Sequence, residues 1–307
     1  MSPRTTRRTG AAKSRLVAVG ALAAAGALVL SSCGDQTDDG GDSGDGGESK
    51  TSSNAAPGAL PKAIEDAGVI KVGSDIAYAP MEFDQGGKPA GVDIDIANAL
   101  GEELGVEFQF QNNVFDNLIP SLDSGRFDII MSSMTDNKER QAEVDFVDYF
   151  SAGVSILVQK GNPEGISTLD DLCGKTVAFQ RGTVSADIAK AQNEKCDKPI
   201  KTLPFTKDTE ALQQVKQGRA VADLNDFPVA AYNARESGGG EDFEVVGEQI
   251  DAAPYGIAVS KDDAELRDAL AKALDAIIEN GEYQKVLEKW NVQKGGVDKA
   301  TVNGGNE

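Results

Sequence analysis

Apolar residues recur along this chain with two different periods, and the two periods alternate. Val69-Ile70-Lys71-Val72-Gly73 is a short apolar run of strand type, and in Asp93–Leu104 the residues Ile96, Leu100 and Leu104 fall four apart, the stripe of a helix. Val106–Phe110 alternates as a strand, Phe115–Leu122 has helical spacing, and Phe127–Met131 reads as a buried strand. A second series follows: strand Thr176–Phe179, helix Thr183–Asn193, strand Ile200–Phe205, helix Asp208–Gln217, strand Val221–Leu224 and helix Phe227–Glu236. Tyr255–Val259 is a further strand, and Leu266, Leu270, Leu274 and Ile278 mark a helix that Gly281 should stop. Such alternation predicts an α/β fold with mainly parallel sheets flanked by helices.

The two series echo one another. LDSGRFDIIMSSMTD (122–136) and VKQGRAVADLNDFP (215–228) each end a helix at Gly-Arg, at Gly125-Arg126 and Gly218-Arg219, and continue into an apolar strand. Counting eight from each Gly reaches Ser133 in one and Asp226 in the other. Ligands of open α/β sheets lie beyond the carboxyl ends of strands, so this spacing places Ser132-Ser133 and Asn225-Asp226 at equivalent strand ends of two similar lobes. A chance likeness of two short Gly-Arg turns is the plainer reading.

The start of the chain has a different pattern. Residues 1–15 carry Arg4, Arg7, Arg8, Lys13 and Arg15 and no acid, an apolar run from Leu16 to Leu30 follows, and then Ser31-Ser32-Cys33. A helix over that run would span about 22 Å, short of the roughly 30 Å hydrocarbon core, so a secretory signal fits better than a membrane span. Leu30-Ser31-Ser32-Cys33 resembles the lipobox of bacterial lipoproteins, which makes Cys33 the expected lipidation site; an ordinary signal with an incidental Cys is the other reading. Arg7-Arg8 lacks the hydrophobic residues of a twin-Arg signal. Residues 34–58 hold six acids and one Lys among Gly and Ser, and such a stretch reads as a solvated, self-repelling tether. The expected division is 1–32 signal peptide, 33–58 tether, and a folded part from 59 to 307.

Composition then narrows the chemistry. The chain has no His, which removes a Ser-His-Asp triad, a Cys-His dyad and any His-ligated metal site. Its net charge is −20, and cutting after residue 32 leaves 25 basic against 50 acidic residues, a charge of −25. That balance argues against a grip on nucleic acid or anionic lipid. With Cys33 assigned to lipid, Cys173 and Cys196 flank one strand–helix unit of an exported chain and are expected to form a disulfide, two free thiols being the alternative. No metal and no cofactor is expected.

Five segments, GSDIAYAPMEF (73–83), GVDIDIANAL (91–100), FDNLIPSLDSGRFDIIMSSMTDNKERQAEVDFVDYF (115–150), LCGKTVAFQRGTVSADIA (172–189) and GRAVADLNDFPVAAY (218–232), together resemble the family 3 extracellular solute-binding proteins, the polar amino acid receptors of ABC importers. The resemblance covers about residues 66–292. It implies the two-lobe type II periplasmic-binding-protein-like fold, with lobe 1 from 59–151 plus 255–307, lobe 2 from 152–254, and two crossover strands as a hinge. It also implies a lipid-anchored monomer on the outer face of the cytoplasmic membrane, which hands its ligand to permease subunits served by a separate ATPase.

The site residues that the resemblance implies are Asp75, Tyr78, Phe115, Ser132, Ser133, Thr135, Arg140, Gln180, Thr183, Val184, Ser185 and Asp226. Arg140 would hold the ligand's α-carboxylate, since a guanidinium matches a carboxylate with two parallel hydrogen bonds. Asp226 would take the α-ammonium, with Ser133 and Thr135 near it, although Asp226 also stands where an N-cap for the next helix belongs. Asp75, Tyr78 and Phe115 would enclose the side chain; plain core packing is the other reading of the two aromatics, and an Asp at this place serves cationic and amide ligands alike. The loop Gln180–Ser185 offers backbone N–H groups at a helix start to an anion; some receptors carry Thr-Gln where this chain has Val184-Ser185. From another class, a cyclohexadienyl dehydratase also exists on this fold, with Glu82 or Asp75 as a conceivable acid. Ectoine-like and opine-like ligands compete within the binding class.

Overall fold

The computed structural model describes residues 59–306; the expected signal peptide, the expected lipidation site Cys33 and the expected tether lie outside the described residues. The chain opens with α1 (Lys62–Ala67) and β1 (Val69–Ser74), then three short strands, β2 (Ala77–Tyr78), β3 (Glu82–Asp84) and β4 (Pro89–Ala90), that form a small antiparallel sheet of their own. Helix α2 (Val92–Leu104) buries Val92, Ile96 and Leu100 and stops at Gly105, whose φ of 71° is left-handed. β5 (Glu107–Asn112), a single tight turn at Phe115–Asn117, α3 (Leu118–Asp123), β6 (Ile129–Ile130) and α4 (Lys138–Gln141) complete the first series. The strand expected over 127–131 is thus only two residues long.

After the long strand β7 (Val144–Gln159) come β8 (Thr176–Gln180), α5 (Val184–Lys195), β9 (Lys201–Phe205), α6 (Asp208–Lys216), β10 (Ala222–Asp226) and α7 (Phe227–Glu236). A second long strand, β11 (Phe243–Ser260), leads to α8 (Ala264–Glu279), α9 (Glu282–Trp290) and β12 (Thr301–Val302). Helix α8 buries Leu266, Leu270 and Leu274 as its spacing predicts, with Ile277 rather than Ile278 as the fully buried last contact. Each such side chain contributes roughly 1.5–3 kcal/mol.

The main sheet runs β5-β1-β6-β11-β7-β10-β8-β9, with β12 added beside β7. The outer trios β5-β1-β6 and β10-β8-β9 are parallel, as the alternation predicts. Between them β7 and β11 pair antiparallel from Gln159↔Phe243 to Val144↔Ser260, so the two halves share one continuous sheet. Register shifts interrupt this pairing between Val246 and Gly256. At Gly153 a Cβ would lie 2.8 Å from the Ile250 carbonyl oxygen, so only glycine lets the two strands pass this closely.

The Gly-Arg echo is geometric as well as textual. Gly125 and Gly218 both have left-handed φ, 73° and 69°. The Arg126 N–H donates to Ser121 O at 3.0 Å and the Arg219 N–H to Gln214 O at 2.8 Å, the same helix-ending turn in both halves. One core lies between α2, α8 and the first half of the sheet, and a separate one packs α5 on the second half. Among the described residues no helix is long and apolar enough to cross a membrane.

Cys173 and Cys196 form a disulfide with Cα atoms 5.4 Å apart, tying the start of β8 to the end of α5. Non-reduced protein should therefore resist alkylation at both positions. Closing a loop of about this length should contribute roughly 3 kcal/mol, so reduction is expected to lower the unfolding free energy from urea titration by about that amount and the midpoint with it.

Candidate functional site

The carboxyl ends of strands from both halves meet at one small cavity. It is lined by Asp75, Tyr78, Glu82, Phe115, Ser133, Thr135, Arg140, Gln180, Thr183, Val184 and Asp226. Ten of the twelve residues expected for the site are in this lining. The other two stand just behind it: Ser132 is buried and its Oγ accepts the Asp75 N–H at 2.9 Å, and Ser185 is buried on α5.

Arg140 sits in a four-residue helix whose N-cap is Asn137; the Asn137 Oδ1 accepts the Arg140 N–H at 2.9 Å. Its guanidinium donates from Nη1 to Thr135 O at 2.7 Å and from Nη2 to Gly182 O at 3.0 Å, and lies 5.4 Å from the Phe115 ring centroid. The Gly182 contact crosses to the other half of the sheet. A Cβ on Gly182 would stand 2.8 Å from Asp116 Cβ, and its φ of 73° is left-handed, so glycine is needed for this approach. Thr183 caps α5: its Oγ1 accepts the Ala186 N–H at 3.3 Å, which leaves the first N–H groups of that helix, on Val184 and Ser185, without intrahelical acceptors.

Asp226 occupies the N-cap position of α7 but makes no side-chain cap bond. Its carboxylate instead accepts from Tyr255 Oη at 2.6 Å, while its N–H donates to Tyr78 Oη at 2.9 Å. Tyr78 is thereby held by a polar handle rather than by packing alone. Asp75 accepts from Gln180 Nε2 at 2.5 Å through Oδ2, and its Oδ1 is buried with no partner.

Asp93 and Tyr255 hold the site without having been expected in it, and Glu82 was expected only as an acid in the dehydratase reading. Glu82 accepts from Ser132 Oγ at 2.9 Å and Ser133 Oγ at 3.1 Å, and Asp93 accepts the Ser133 N–H at 3.0 Å. Ser133 itself is held at φ 46°, a conformation rare for a residue with a Cβ. A carboxylate between Met81 and Phe83 in an otherwise apolar segment was the one sequence signal for Glu82.

Burial dominates the electrostatics. It raises Asp75 to about 6, against the hydrogen bond from Gln180, and Asp226 to about 6, against those from Tyr255 and Tyr78. Burial, and then the neighbouring Asp93, pushes Glu82 upward, against the hydrogen bonds from Ser132 and Ser133. Burial also lowers Arg140, opposed by Asp187 and Asp226, yet a guanidinium stays charged. Beneath Asp226 lies a second acidic layer, where Asn225 Nδ2 donates to Asp223 at 3.1 Å and Asp208 at 3.4 Å. Burial raises both of these acids. Among the described residues no acid or thiol cluster has the makings of a metal site.

Residues 70–293 match the model of the bacterial extracellular solute-binding proteins, family 3. The chain belongs to this family. An arginine-binding protein of Corynebacterium glutamicum is 36% identical over 251 residues, covering 80% of this chain and 81% of that protein. Among solved structures, an ancestral arginine-binding protein bound to arginine is 38% identical with a TM-score of 0.68, covering 73% of this chain and 98% of its own. An ancestral amino acid-binding protein described as a precursor of cyclohexadienyl dehydratase is 39% identical, also with a TM-score of 0.68, over 75% of this chain and 98% of its own. The family 3 scaffold is a type II periplasmic binding fold, and the topology above is that fold.

The raised carboxyls give this solute-binding protein a distinct pH signature. Asp75 and Asp226 bind protons more readily folded, near pH 6, than unfolded, near the ordinary 3.8. Between those values the native state holds more protons, so lowering the pH from 7 to 5 should stabilise the ligand-free protein by on the order of 1 kcal/mol per group. Asp145 and Asp171, which are lowered, act only below about pH 4. Urea titrations at the two pH values check this, and a steady loss of stability toward pH 5 would contradict it.

Proposed function

We propose that the chain captures an amino acid with a cationic side chain, of the arginine class, and presents it to the permease of an ABC importer whose ATPase is a separate subunit. The observation that carries this reading is the charge of the lining. Asp75, Glu82 and Asp226 face a single cation, Arg140, and Asp75 Oδ1 is buried without a partner. Three acids against one guanidinium leave the lining short of positive charge. A ligand with two cationic groups and one carboxylate supplies it.

In this arrangement Arg140 and the free N–H groups opening α5 take the α-carboxylate. Asp226, with Ser133 and Thr135, takes the α-ammonium. Tyr78 and Phe115 wall the aliphatic stem, and Asp75 receives the distal cation. The arginine-binding relatives support the same ligand class. Gln180, bonded to Asp75, favours a neutral amide ligand as the second reading. The halves act as lobes, 59–151 plus 255–307 and 152–254, hinged where β7 and β11 lose register. The protein works as a monomer, tethered by lipid on Cys33.

A thermal-shift screen of the mature chain against arginine, lysine, ornithine, histidine, glutamine, ectoine and opines tests the ligand class. Ligand at 100 times Kd adds about 2.7 kcal/mol of stability, and the arginine class should give the largest shift. A screen in which only neutral or non-amino-acid ligands shift the melt would overturn this reading. Arg140→Ala should abolish detectable binding, because an unpaired desolvated carboxylate costs roughly 2–5 kcal/mol. Arg140→Lys should rescue little, lacking the planar fork. Asp226→Ala should weaken every amino acid, whereas Asp75→Asn should weaken cationic ligands more than glutamine. Near-native arginine affinity in either Ala variant would remove the assignment of the α-groups.

The dehydratase reading has one observation on its side, Glu82 at the cavity wall with its carboxyl raised by burial. Its burial and the two serine hydroxyls that hold both its oxygens instead mark it as a fixed support, and incubation with prephenate or arogenate should yield no product. For the anchor, Cys33→Ser should move the protein from the membrane to the soluble fraction with ligand binding unchanged. Retention after a salt wash would rule the lipid out.

A further inference from the structure

Helix α4, which carries Arg140, is too short to hold itself. Its i→i−4 bond from the Gln141 N–H to Asn137 O (2.9 Å) and the Asn137 cap are local, and a single helical turn is unstable alone. Something else must fix it. Residues 301–305 reach it from far along the chain. β12 pairs with β7 at Val147 and Asp148, and Asn303 continues the contact by accepting the Phe146 N–H at 2.8 Å and donating to Asp145 Oδ1 at 3.0 Å. The Gly304 N–H then donates to Asp148 Oδ2 at 2.9 Å and the Gly305 N–H to Asp136 Oδ2 at 2.8 Å. Gln141, the last residue of α4, donates from Nε2 to Gly305 O at 2.9 Å and to Asp136 Oδ1 at 2.7 Å. The space is filled: a Cβ on Gly305 would lie 2.1 Å from the Asp136 carbonyl oxygen.

We infer that segment 301–305 is a positioning strap for Arg140. It brackets α4 by holding Asp136 ahead of the helix and Gln141 at its end, and so sets the direction from which the guanidinium meets the ligand's carboxylate. Two buried carboxyls, Asp136 and Asp148, meet beneath the strap, and burial together with Asp136 raises Asp148 to about 7. Each receives a backbone N–H from the strap, which compensates two acids that would otherwise repel. The inference rests on the reading of Arg140 as the carboxylate grip.

The test uses the full mature chain with Gly305→Val, which cannot occupy the strap's seat, and Gln141→Leu, which cuts the same bracket from the helix side. Kd is measured by calorimetry for L-arginine and for L-argininamide, whose carboxyl group is an uncharged amide. Both variants should weaken L-arginine about tenfold or more, the scale of a lost bond to a charged group, while L-argininamide changes little. Equal losses for both ligands would show a merely structural role and overturn the strap, as would unchanged affinity for both. Amide exchange at Gln141 gives a readout independent of ligand: the variants should lose its protection. If the unmodified protein binds no arginine-class ligand, the proposed function fails while that exchange result still decides the strap, upholding it if protection falls and overturning it if protection persists.

Discussion

Acids outnumber cations in a space closed to water, and most of the local architecture answers that constraint. An isolated ionised carboxylate in such surroundings is costly, and a group without a partner takes a proton instead. Burial and the neighbouring Asp93 push Glu82 toward the neutral form, and the two serine hydroxyls on its oxygens oppose that push. The layer under Asp226 behaves alike, with Asp208 and Asp223 raised by burial around the amide of Asn225. Among the lining acids, Asp75 and Asp226 are raised only to about 6 and are the ones nearest to ionising.

That geometry depends on strand ends. Asp75 follows β1, Ser132 and Ser133 follow β6, Gln180 ends β8 and Asp226 ends β10. Parallel strands present their carboxyl ends on one side of each half, and the two long strands turn those sides toward each other. Because β7 and β11 pair across nearly their whole length, the halves are joined by a continuous ladder whose register breaks concentrate between Val246 and Gly256. Motion confined to that stretch leaves each half's core intact.

Local signals were legible and remote ones were not. Helix Phe227–Glu236 matched its spacing to the residue, because its entry has Pro228 and its apolar stripe is intact. The Gly-Arg turns were readable because two left-handed glycines and the strands after them repeat within a few residues. β7 was not read as one strand: Asp145 and Asp148 interrupt its apolar run, and the groups that satisfy them, Lys261, Arg267, Asn303 and Gly304, lie more than a hundred residues away. The support that Glu82 gives the site was hidden for the same reason, since Ser132 and Ser133 are about fifty positions distant. Most of the site was nonetheless visible through family motifs, because those motifs are the strand ends themselves.

Few direct bonds join the halves across the cavity. Gln180 reaches Asp75, Arg140 reaches Gly182 O, Asp226 donates its N–H to Tyr78 and accepts from Tyr255, and Arg181 lies 3.8 Å from Asp116 in a half-exposed pair. Exposed ion pairs contribute about 0–1 kcal/mol, and the hydrogen bonds replace bonds to water. Against them stands the cost of enclosing Asp75 and Asp226 with one guanidinium. If the halves open and close as proposed, a ligand biases closure through contacts made only when both halves meet it. Turning a 1:99 mixture into 99:1 takes about 5.5 kcal/mol of differential affinity. Two or three bonds to charged groups, at roughly 1.5–3 kcal/mol each, reach that figure. On the proposed pose, a zwitterion spanning Arg140 and Asp226 would make such bonds to both halves at once, which ties the charge imbalance to the proposed hinge.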